Sequence, residues 1–112
     1  MERNLYILWA NSDKVTSEHM MLMYAKNSML RGWWDRVTVI VWGDTQRLVC
    51  SDEEIRAGVQ EAQELGVFFS ACIACAVELG TMDQLRELGI EVISWGDKLT
   101  KLLQSGEKVL SL

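Results

Sequence analysis

Short apolar runs alternate with amphipathic stretches along the whole of this 112-residue chain. That rhythm restricts the fold more than any other feature. The runs are Leu5 to Ala10, Val37 to Trp42, Val67 to Ala71, Ile90 to Trp95 and Lys108 to Leu112. The first holds Ile7, Leu8 and Trp9 almost without interruption, as expected of a strand buried on both faces. The last two mix in Glu91, Ser94, Lys108 and Ser111, which places one or both of them near a sheet edge.

The stretches between the runs read as helices. One spans about Ser17 to Arg31, with Leu22, Ala25 and Met29 at helical spacing and Gly32 as its stop. Ser51 and Glu54 form an S-x-x-E capping box. They open a helix with Ile55, Val59 and Ala62 on one face, ended by Gly66. A short helix follows Cys72 and reaches about Leu79, and Thr81 with Gln84 makes a second capping box for a brief helix closed by Gly89. Asp97 is placed to cap a helix carrying Leu99, Leu102 and Leu103, with Gly106 beyond it. The order β-α-β-α-β-α-β-α-β implies an α/β chain whose five strands are mainly parallel and joined by helical crossovers. Residues 1–112 form one domain in this reading, with no linker or low-complexity stretch.

Composition removes several functions. Acidic residues outnumber basic ones, for a net charge of -5, and the basic residues are scattered singly. A nucleic-acid binder needs a basic stripe to displace counterions, and an anionic membrane surface needs the same. No apolar run approaches the ~18 residues of a membrane span. The start, Met1-Glu2-Arg3-Asn4, lacks a signal-peptide pattern, so the expected location is cytoplasmic. An odd count of three cysteines, two of them in a C-x-x-C, also differs from a secreted disulfide framework.

Three runs end in the same phrase: Trp9-Ala10-Asn11, Trp42-Gly43-Asp44 and Trp95-Gly96-Asp97. In a parallel sheet all strand exits share one edge, where ligands of open α/β sheets bind. Asn11, Asp44, Cys72 and Asp97 are therefore expected to line one pocket.

Cys72 and Cys75 carry the sharpest chemical signal. Cys72 leaves a strand and enters the first turn of a helix, where free N–H groups favour a thiolate. Cys75 lies one turn on, within reach of Cys72. The bland reading is that both are small residues packed in the apolar segment Ala71 to Val77. Thioredoxin-type redox chemistry is opposed by the absence of any proline. Zinc is opposed by the shortage of ligands, since only Cys50 and His19 remain as N or S donors. No G-x-G-x-x-G or G-x-x-x-x-G-K-[ST] supports a nucleotide site, and the hydroxyl-rich loop Asn11 to Ser17 reads first as a capped helix start. A phospho-receiver domain would need an aspartate where Cys72 stands. No cofactor or metal is expected. His19 reads as a surface residue and Cys50 as structural. Met20, Met23 and Tyr24, with Trp33 and Trp34, supply more apolar surface than a small domain hides, which suggests a subunit interface.

The phrase Val39-Ile40-Val41-Trp42-Gly43-Asp44, then Leu48-Val49, Ala71-Cys72-Ile73-Ala74-Cys75, Leu79-Gly80, Leu88-Gly89-Ile90 and Leu102-Leu103-Gln104-Ser105-Gly106, resembles the DsrE/DsrF-like family of small sulfur-relay proteins over essentially the whole chain. The resemblance implies a three-layer sandwich, with a five-stranded parallel sheet between helices, and homo-oligomers such as trimers or hexamers. It implies a sulfur carrier or sulfurtransferase that holds sulfane sulfur as a persulfide and exchanges it with donor and acceptor proteins. Counted back from Leu79-Gly80, the family cysteine falls on Cys72. Cys75 departs from the one-cysteine pattern and is able to resolve a persulfide by forming a disulfide. Two other readings stay open: a non-catalytic interaction subunit, and a thiol–disulfide switch on Cys72 and Cys75.

Overall fold

The computed structural model describes residues 2–112. Five strands, β1 (Asn4–Trp9), β2 (Arg36–Val41), β3 (Phe68–Cys72), β4 (Glu91–Ile93) and β5 (Lys108–Ser111), form one sheet in the order β4-β3-β2-β1-β5. Every pairing is parallel. The fold is an α/β sandwich, and both strands read as edge strands lie at the two edges.

Six helical segments join the strands. Helix α1 covers residues 14–30 and contains a π-helical stretch, Ser17–Leu22. The others are α2 (Thr45–Ser51), α3 (Glu53–Glu64), α4 (Ile73–Leu79), α5 (Met82–Glu87) and α6 (Gly96–Gln104). The strand order explains why the two outer layers are unequal. From β1 to β4 the chain steps one strand at a time in one direction, so right-handed crossovers put the intervening helices on the same face. To reach β5 it must return past three strands, and a right-handed return runs over the opposite face. Helix α6 makes that return.

The larger core lies on the first face. Met21, Leu22 and Ala25 of α1, Val49 of α2, Ile55, Val59 and Ala62 of α3, and Leu85 of α5 are buried against Ile7, Trp9, Val37, Val39, Val41, Phe69 and Ala71. The second face carries a small cluster of Ile40, Cys72 and Trp95, with Tyr6, Leu8, Trp42, Cys75, Leu99 and Leu102 packed against it. Beyond the reach of α6 this face opens to solvent, where Arg36 sits 5.5 Å over the ring of Phe68, itself 43% exposed. The middle strand β2 is therefore buried on both faces after its first residue, whereas β1 alternates between buried and half-buried positions.

Several local expectations shift. α1 begins at Lys14 rather than Ser17, because the Asp13 carboxylate accepts a hydrogen bond from the Thr16 N–H at 2.9 Å and caps the helix earlier. Ser51 does not cap α3. Asp52 does, accepting from the Ile55 N–H at 3.0 Å, while Ser51 closes α2 by donating to the Arg47 carbonyl. Thr81 precedes α5 without a side-chain cap, its hydroxyl being used elsewhere. Asp97 lies in the first turn of α6 rather than at its cap, which Trp95 occupies. Leu103 is exposed, so Leu99 and Leu102 alone carry the buried side of α6. The strip Val15, Met20, Met23, Leu30 and Trp33 is exposed, whereas Tyr24 and Trp34 pack against the core and share a hydrogen bond of 3.1 Å. Among the described residues no helix is long and apolar enough to cross a membrane.

Candidate functional site

Alternation along the strands decides where Cys72 points. Ala71, paired with Val41 and Val92, faces the large core. Cys72, one residue on, turns to the other face and joins Ile40 and Trp95. The strand ends there, and Cys72 is also the first boundary residue of α4, with extended backbone and no side-chain capping bond. Its residue is 4% exposed. Cys75 lies one helical turn further, is half-buried, and packs against the same small cluster. Gly80, in the left-handed region at φ 69°, stops the helix after two turns.

The two cysteines are neighbours on this face: Cys75 and Trp42 both pack against the cluster that holds Cys72. Cys72, the backbone N–H of Gly43 and the side chain of Trp42 all act on the Cys75 thiol. Gly43 sits just past β2 at φ 73°, a conformation glycine adopts freely. Burial pushes the Cys75 thiol above its ordinary value; the Gly43 N–H opposes this, the neighbouring Cys72 adds to the push, and Trp42 opposes it again. The balance keeps the proton on Cys75.

This has a direct consequence for pH. A thiol alkylates through its thiolate, so Cys75 should react with iodoacetamide along a curve whose midpoint lies above the ordinary thiol value of about 8.5. In Cys72→Ser the neighbouring thiol that adds to this push is gone, and the midpoint should fall. Peptide-resolved mass spectrometry across pH checks both; an unchanged midpoint in Cys72→Ser would remove the coupling.

The other residues expected at this edge are engaged locally. The Asn11 carboxamide accepts from the Asp13 N–H at 2.8 Å, and the Asn11 main-chain carbonyl accepts from the Ser17 hydroxyl. Asp44 is exposed and pairs with Arg47 on its own helix at 3.4 Å. Asp97 is exposed on α6. The polar groups that act on the Cys75 thiol come instead from Trp42 and Gly43. The repeated Trp-small-Asn/Asp phrase contained them, but only the sheet order reveals that the copies after β2 and β4 flank β3. Gln46, fully buried behind the same strand exits, also went unread: its Nε2 donates to the carbonyls of Val41 (3.1 Å) and Cys72 (3.0 Å).

His19 is exposed on the π-helical stretch. Cys50 is half-buried, and burial raises its thiol against the pull of Arg56. Among the described residues no group of three His, Cys, Asp or Glu side chains is placed to hold a metal ion.

No family model matches the sequence, and no curated protein does. Solved structures do. The chain is similar to BT1422, a conserved protein of unknown function from Bacteroides thetaiotaomicron, at 37% identity and a TM-score of 0.96, over 98% of this chain and 95% of that one. It is also similar to MTH1491, a protein of unknown function from Methanobacterium thermoautotrophicum, at 20% identity and a TM-score of 0.76 over the full length of both. The ychN protein of E. coli matches at 15% identity and 0.74, again over both full lengths. These last two likenesses concern the fold.

Proposed function

We propose that this chain, which belongs to the same family as BT1422, is a sulfur carrier or sulfurtransferase-like protein that holds sulfane sulfur as a persulfide on Cys72. The observation that carries this reading is a pair of free cysteines one helical turn apart at a strand exit, packed in one small cluster. The resemblance to DsrE/DsrF-like proteins supports it through the place of Cys72 before Leu79-Gly80.

The chemistry is a pair of sulfur exchanges. The Cys72 thiolate attacks a sulfane sulfur of the donor; a new S–S bond forms, the donor's S–S bond breaks, and the shortened donor leaves as an anion. On delivery, a partner's cysteine thiolate attacks the outer sulfur, and Cys72 leaves as a thiolate. No electron carrier or cofactor enters either step. Cys75 sets the competing path. Its thiolate, attacking Cys72 Sγ, would expel hydrosulfide and leave a Cys72–Cys75 disulfide. Because burial keeps Cys75 protonated, that discharge is suppressed at neutral pH and grows as pH rises.

The thiol–disulfide switch draws on the same pair and differs in needing both cysteines. The reading extends to location and assembly. An odd cysteine count suits a reducing compartment such as the cytoplasm. The exposed strip Val15, Met20, Met23, Leu30 and Trp33 suits a self-interface in a trimer or hexamer.

Delivery is the test. Chain loaded from an inorganic polysulfide and freed of excess should hand one sulfur atom to an added cysteine-bearing acceptor protein, and Cys72→Ser should hand over none. Equal delivery by Cys72→Ser would overturn the proposal.

A further inference from the structure

We infer that Gln46 is the positioning residue of the dithiol, a buried strut that fixes Cys72, and the helix that carries Cys75, against the β2 exit at Trp42 and Gly43. The inference rests on the reading of Cys72 and Cys75 as the reactive centre, and it concerns how that centre is held.

Glutamine is seldom fully buried, yet Gln46 is 0% exposed. Its carboxamide is fully used. Nε2 donates to the carbonyl oxygen of Val41 at 3.1 Å and of Cys72 at 3.0 Å, and Oε1 accepts from the Thr81 hydroxyl at 2.8 Å. The partners fix the orientation of the amide, since two carbonyls can only accept and so must face the nitrogen. The main chain adds a fourth tie: the Gln46 N–H donates to the Gly43 carbonyl at 3.1 Å.

Each tie holds a segment that builds the site. The parallel pairing of β2 and β3 ends at Val41 and Ala71. Past that point the strands part, and the Val41 and Cys72 carbonyls both meet one amide instead. Val41 leads directly into Trp42 and Gly43, which both pull the Cys75 thiol down. Cys72 is itself one of the thiols. Thr81 follows Gly80 at the end of α4, the helix that carries Cys75. The bond to Gly43 closes the turn that presents the Gly43 N–H. One residue thus ties together every segment of the centre. A buried strut with such partners is stabilising on its own account. Its effect on the sulfur is separate, because N–H to sulfur contacts depend on alignment, and alignment here depends on how far the β2 exit stands from α4.

The test uses alkylation, which needs no sulfur donor, so it succeeds or fails independently of persulfide chemistry. Gln46→Met keeps the volume and removes every side-chain tie. Thr81→Val removes only the hydroxyl, and Thr81→Ser restores it. With Trp42 and Gly43 no longer held beside Cys75, its iodoacetamide midpoint should rise by about one pH unit in Gln46→Met, about a tenfold loss of rate at pH 7. Thr81→Val should move it the same way by less, and Thr81→Ser should match the parent. A purely structural strut would lower the melting temperature and leave the midpoint in place. Native midpoints in folded Gln46→Met and Thr81→Val would overturn the inference; if Gln46→Met does not fold, Thr81→Val decides alone.

Discussion

Replacing Trp9 with alanine should lower the unfolding free energy by about 3–5 kcal/mol, the range for truncating a large buried aromatic. Trp9 is 0% exposed at the end of β1 and packs in the larger core. Its indole N–H donates to the Ser17 hydroxyl at 3.0 Å, and that hydroxyl donates to the Asn11 carbonyl at 3.2 Å. The side chain therefore fills the space beneath α1 and anchors the chain's entry into that helix. Against a typical total of roughly 5–15 kcal/mol, such a loss leaves little stability. Trp9→Phe keeps most of the volume and should lose far less. Urea titrations of the three chains measure the difference. A loss under about 1 kcal/mol for Trp9→Ala, well short of the range for a buried aromatic, would mean that the core does not close around this side chain.

Three of the five tryptophans show what the sequence could and could not convey. Trp9, Trp42 and Trp95 sit in one repeated phrase, yet they do three different jobs. β1 and β2 pair Trp9 with Val41, so Trp42 lies one residue further and alternation turns it to the opposite face, beside Cys75. Trp95 lies past the short β4, where its indole N–H donates to the buried Ser70 hydroxyl at 2.7 Å. Apolar periodicity located the strands to within a residue or two, because burial between helices requires it. Register is a property of pairs of strands, and one run of residues does not contain it.

The same limit explains the site. Cys72 and Cys75 were legible because their pairing is local, one helical turn apart. Trp42, Gly43 and Gln46 reach them across 26 residues or more, as the Gln46 bond to Cys72 shows. α2 itself was missed: it is short, follows a Gly-Asp that reads as a turn, and buries Thr45 and Gln46 beside Val49, so polarity hides its inner face. The misplaced capping boxes have a similar cause. Ser51 and Asp52 both suit an N-cap, and the choice fell to Asp52 because the preceding α2 uses the Ser51 hydroxyl.

Cys72→Ser should have the largest effect on function, abolishing sulfur loading while leaving the fold intact. Serine is close to cysteine in shape, but a hydroxyl at neutral pH does not attack a sulfane sulfur as a thiolate does. Cys75→Ser should still load, and should hold its sulfur longer at raised pH because the thiol that expels hydrosulfide is gone. The direct measurement is the intact mass of the reduced chain, of Cys72→Ser and of Cys75→Ser after brief exposure to inorganic polysulfide, with the adduct mapped to its peptide. The expected result is the gain of one sulfur atom on Cys72 in the parent and in Cys75→Ser, and none in Cys72→Ser. An undiminished adduct in Cys72→Ser, or a parent chain that only loses two hydrogens, would contradict it.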